Sequence, residues 1–267
     1  LRVRGPAFDR ASMLLLYTVV AGALSIVFAW LMTVRLFALA RRTGQTPEWL
    51  LATAFGGFFC VGYPLMGMSR LPAMAETSEG SLLYALGATG MVVGIAALSR
   101  FPKVVFRPKA RWATALCAAT TIAGAVSALG LTIQAISAPT FEEMIARGLP
   151  WAIALVLSLG VPFLWNAIES LVYYRRMRRR RVLGLASPSA THAFLLWSIA
   201  SWVSVLQVVL LVAVRLAGQP ILSPGPMALI ATCALVTWAC WSLAFFMPDV
   251  YRRHVLGEHP TDATEQG

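Results

Sequence analysis

Pro162, Asn166, Glu169 and Tyr173 recur at intervals of four, three and four residues, a spacing that places them on one face of a helix. Glu169 lies within a long apolar run. A carboxylate in hydrocarbon costs about 2.5 kcal/mol or more unless it is paired, protonated or hydrated. Such a group can couple protons, bind a cation or lock two helices together. At about 1.5 Å per residue it stands ~8 Å from the end of its run, within reach of Arg35 or Arg176. A structural ion pair is therefore the ordinary alternative to a transport role. Pro162 removes one helical hydrogen bond and frees a carbonyl beside the same face.

Two further constellations bear on chemistry. Trp238, Trp241 and Phe245 are spaced to form one aromatic face, which lines either a pocket for an apolar ligand or an ordinary bundle core. Gln207 supplies a neutral polar group to the preceding apolar run, for helix pairing or for a solute path. The segment GGFFCVGYPLMG, with Gly56, Gly57, Gly62, Tyr63, Pro64 and Gly67, predicts a break or bend in the outer half of its helix. Broken helices line binding sites in transporters, but no repeat-related helix has a comparable interruption, so a bent structural helix is the favoured reading of this segment.

Arg175, Arg176, Arg178, Arg179, Arg180 and Arg181 form the densest charge cluster. They anchor a loop on anionic inner-leaflet lipids, at about 1 kcal/mol per cation, or dock a cytoplasmic protein partner. The charge of +11 does not indicate nucleic-acid binding, because the cations are separated by long uncharged runs.

These residues need membrane-spanning helices to position them. With 58% hydrophobic and 12% charged residues, the composition is far from the roughly 25% charged residues of soluble domains. A span takes roughly 20 apolar residues. Seven such runs occur, at about 13–39, 48–69, 82–100, 111–135, 150–174, 192–216 and 226–247. Together they predict an all-α polytopic membrane protein, a single seven-helix bundle over 1–253 followed by a short polar cytoplasmic tail, 254–267. The charged opening LRVRGPAFDR precedes a run that reads as a retained first span rather than a signal peptide.

The cations set the orientation. Fifteen follow the odd-numbered spans and six fall on the opposite side, with Arg35 near the inner end of the first span. The positive-inside rule then places the amino terminus outside and the carboxyl terminus in the cytoplasm, most simply of a bacterial inner membrane. Thr46 is positioned to cap the second span, with Pro47 and Glu48 in its first turn. Thr140 and Glu143 have capping-box spacing for a short surface helix over 141–147. Gly87, Gly90 and Gly94 in the third span and Ala113, Cys117, Thr120, Gly124 and Ser127 in the fourth predict tightly paired helices.

The layout resembles microbial rhodopsins, G-protein-coupled receptors and the seven-helix input modules of sensor kinases. In LARRTGQTPEWLL, GYPL and the arginine run followed by GLASP and FLLW, the chain resembles uncharacterised bacterial seven-helix membrane proteins. The lysines are Lys103 and Lys109, so the last span has none to form a retinal Schiff base. The histidines, His192, His254 and His259, stand at or beyond span ends, and no metal site is predicted. No catalytic motif occurs and no cofactor is required, although a bound lipid, quinone or pigment fits the aromatic face. The expected function is a noncatalytic sensor, receptor-like protein or interacting subunit that binds an apolar or small ligand. A small-solute or proton-coupled transporter, and an accessory subunit of a photosynthetic or respiratory complex, are the alternatives.

Overall fold

In hydrocarbon every backbone polar group must be satisfied internally, so each long apolar run closes its own hydrogen bonds as a helix. The computed structural model describes residues 10–75, 77–219 and 223–257, and these are all helix and short connections, with no strand among them. Seven helices are long and apolar enough to cross a membrane: α1 (Arg10–Thr43), α2 (Thr46–Met68), α3 (Ser78–Phe106), α4 (Arg111–Ser137), α5 (Phe141–Val182), α6 (Pro188–Leu216) and α7 (Pro224–Phe245). After the last of them a short helix, α8 (Asp249–Leu256), ends at Gly257 with φ +66. The chain is a multi-pass integral membrane protein. Arg2, Arg4, Glu76, His259 and most of the expected tail lie outside the described residues.

Each helix packs on its neighbours in sequence, and α7 closes the ring against α1. Across the ring α3 meets α5. α1 is the least enclosed of the seven, and its exposed Leu15, Val19, Ile26, Leu31 and Val34 present an apolar surface suited to lipid contact.

α2 contains the expected irregularity as a π-helical stretch, Gly56–Gly62, and the chain remains helical on both sides of it. The reason is an approach to α3 that leaves no room for side chains. A Cβ on Gly57 would lie 2.8 Å from both the Gly90 carbonyl oxygen and the Gly94 nitrogen, and one on Gly94 would lie 2.3 Å from the Phe58 ring. The glycines of α3 therefore serve α2. α4 does pair with α3, but through milder contacts: Gly124 faces Ile95 and Val92, and Cys117 Sγ is 3.1 Å from the Ser99 carbonyl oxygen.

Four local expectations are corrected. Gln45, not Thr46, is the N-cap of α2, and no side chain satisfies the first turn. Thr140 does cap, with its hydroxyl accepting from the Glu143 amide at 3.3 Å, but it starts the whole of α5 rather than a separate surface helix. Pro150 sits inside that helix, where its cost is one lost backbone bond. The arginine run is likewise a helical extension of α5 and not a loop. At about 1.5 Å per residue the 42 residues of α5 extend well past a ~30 Å hydrocarbon core. Finally, α3 continues beyond Arg100 to Phe106, despite Pro102, because its last turns bury aromatics. Phe101 stacks on Trp197 at 5.2 Å and Phe106 packs on Tyr173 at 4.8 Å.

Candidate functional site

Inside the ring is a cavity of about 430 Å³, walled by α2, α3, α5, α6 and α7. The π-helical stretch borders it. Phe59, Tyr63 and Met66, on or just after that stretch, form part of the wall, consistent with the frequent occurrence of π-helical turns at functional sites. At one end an aromatic cluster closes the space. Trp241 packs on Phe55 at 4.7 Å and on Phe163 at 6.1 Å, and Trp238 packs on Phe59 at 4.6 Å. Leu155, Leu159, Val208 and Leu211 complete a mostly apolar lining.

Polar groups punctuate this lining. Thr237 and Trp241, one turn apart on α7, are both buried, and neither Thr237 Oγ1 nor Trp241 Nε1 has a hydrogen-bond partner among the described residues. Gln207 stands half-buried in the α6 wall. Arg70, just beyond α2, and Arg215, in the last turn of α6, belong to the same lining. With Tyr84 they mark the other end of the cavity.

The acidic stripe of α5 lies elsewhere. Pro162, Asn166 and Glu169 are buried and share a face, with Tyr173 half-buried beyond them, but Asn166, Glu169 and Tyr173 do not line the cavity. Asn166 Nδ2 donates to the Pro162 carbonyl oxygen at 3.0 Å, turning back on its own helix. Glu169 Oε1 accepts from Arg107 Nε at 2.7 Å, with Trp165 Nε1 at 3.4 Å from the same oxygen. The partner is thus neither Arg35 nor Arg176. Arg35 lies over the Phe246 ring at 4.8 Å, and Arg176 over Tyr173 at 5.6 Å. Arg107 follows the extended α3, and the hydrogen bond and charge of Glu169 hold its guanidinium above the usual arginine range.

The predicted ligand set therefore divides. Gln207, Trp238 and Trp241 share the cavity, whereas Glu169 and Tyr173 tie α5 to its surroundings and Asn166 bonds within its own helix. Sequence reasoning passed over Arg70 and Arg215, counting them only as topology charges, and weighted the glycine segment of α2 toward structure. The available signal was that both arginines adjoin apolar spans on the arginine-poor side. Arg175, Arg176, Arg178, Arg179, Arg180 and Arg181 lie together on the α5 extension, Arg175, Arg176, Arg178, Arg179, Arg180 and Arg181 all being exposed there. Comparison with protein-family models, curated proteins and solved structures finds no match to this chain. No group of three or more His, Cys, Asp or Glu side chains suited to a metal ion occurs among the described residues.

Proposed function

We propose that this protein is a noncatalytic, receptor-like membrane protein whose seven-helix bundle binds an apolar, lipid-like ligand. The carrying observation is the cavity of about 430 Å³, a volume in the usual range of about 300–1,000 Å³ for small-molecule sites, with a mostly apolar lining in which Gln207, Arg70 and Arg215 are the half-buried polar side chains.

The orientation that accompanies this reading puts the arginine-rich ends of α1, α3, α5 and α7 in the cytoplasm, where the positive-inside rule and the negative leaflet favour them. The six arginines of the α5 extension would then contact anionic lipids or a protein partner. The transporter alternative draws less support, because Glu169 is bonded to Arg107 and stands outside the cavity.

The test is to purify the full chain in lipid nanodiscs and identify co-purifying small molecules by mass spectrometry, beside an Ala234→Leu variant that narrows the cavity. An apolar molecule enriched in the wild type and depleted in the variant supports the reading. Equal recovery from both would overturn it.

A further inference from the structure

Resting on that reading, we propose that the ligand is a single-chain amphiphile with an anionic head, a carboxylate or phosphate, gripped by Arg70 and Arg215 while its chain runs inward toward Trp241.

Arg70 and Arg215 are both half-buried and belong to the wall of one cavity. Neither has an ion pair or side-chain hydrogen bond among the described residues, although both belong to the lining of one cavity. Two like charges brought together at the edge of an apolar space are costly unless an anion joins them. Among the described residues the nearby carboxylates do not fill that role. Glu143 is bonded to Arg147, and neither Glu79 nor Glu142 belongs to the lining. Arginine suits the task because its planar fork binds carboxylate or phosphate through two parallel hydrogen bonds.

The rest of the cavity specifies the chain. From Arg215 the α6 wall extends to Ser204, ~16 Å at the helical rise of 1.5 Å per residue, and the α7 wall extends to Trp241. Apart from Thr237, Gln207 and Ser204, that stretch is aliphatic and aromatic. At roughly 30 Å³ per heavy atom, the share of one water in the liquid, 430 Å³ holds about 14 non-hydrogen atoms. That is room for one medium-length chain with its head group.

The experiment uses the full chain in nanodiscs and equilibrium binding of four radiolabelled probes: dodecanoate, dodecyl phosphate, dodecanol and dodecyltrimethylammonium. We expect one or both anionic probes to bind at least tenfold more tightly than dodecanol, and the cation to bind most weakly. Which anion wins distinguishes a carboxylate from a phosphate head. An Arg70→Gln/Arg215→Gln double variant should lose the preference while retaining dodecanol binding. The wild-type comparison of dodecanoate, dodecyl phosphate and dodecanol needs no variant, so a misfolded variant leaves the test intact. Dodecanol bound as tightly as both anions, or a preference unchanged in a folded double variant, would overturn the head-group assignment and leave the apolar site standing. Failure of all four probes to bind would overturn both.

Discussion

Arg107 Nε lies 2.7 Å from Glu169 Oε1, joining the end of α3 to the buried face of α5. The two partners are unequal: the Glu169 side chain is 5% exposed and that of Arg107 is 41% exposed. Removing the arginine strands a buried carboxylate, whereas neutralising the glutamate releases an arginine that can reach water. Arg107→Ala should therefore destabilise the bundle by about 1–3 kcal/mol, and Glu169→Gln by less. Thermal unfolding of the purified variants measures both. The double variant should be more stable than the sum of the single losses implies, and strict additivity would show that the pair is not coupled.

A second expectation concerns the glycine contact between α2 and α3. Any side chain at Gly57 meets α3 backbone at 2.8 Å, and backbone cannot rotate away as a side chain does. Gly57→Ala should cost about 1–3 kcal/mol, the usual cost of overpacking. A Cβ at Gly22 in α1 would meet nothing within 4 Å, so Gly22→Ala should be neutral or slightly stabilising through helix propensity. Equal melting temperatures for the two variants would contradict the close approach.

The spans were legible because hydropathy and length constrain a membrane helix directly, and the seven predicted runs correspond to the seven long helices. What sequence spacing could not supply was rotation and partner choice. The stripe through Asn166 and Glu169 does share a buried face, yet that face looks toward Arg107 rather than the cavity, because Phe101, Phe106 and Tyr173 draw the end of α3 against its neighbours. The cavity joins residues as distant as Arg70 and Arg215, whose only shared signal along the chain is their charge at the end of an apolar run. The same limitation hid the glycine pairing. Small residues on α3 announce a close neighbour without naming α2.

A third prediction separates binding from folding. Ala234 is half-buried in the cavity wall, so Ala234→Leu adds apolar volume to space that is already present. The variant should retain or raise the wild-type melting temperature while losing at least tenfold in affinity for whichever alkyl probe the wild type binds most tightly. A variant that binds normally would place the ligand elsewhere, and one that melts much earlier would show that the wall lacks the room to accept leucine.

The last prediction concerns which end of the bundle faces the cytoplasm. Leu185 is exposed in the α5–α6 connection, next to the arginine extension, and Gln219 is exposed after α6, at the opposite end. The native cysteines, Cys60, Cys117, Cys233 and Cys240, all lie within membrane-length helices and can be replaced by alanine or serine to give a silent background. In intact bacterial cells expressing the chain, Gln219→Cys should react with a membrane-impermeant maleimide, whereas Leu185→Cys should react only after permeabilisation. The arginines provide the physical reason for this expectation: six cations on one helix extension would be held by a negative inner leaflet and would resist translocation. The reverse labelling pattern would invert the protein. Arg70 and Arg215 would then take their anionic ligand from the cytoplasmic side, and the arginine extension could not serve a cytoplasmic partner.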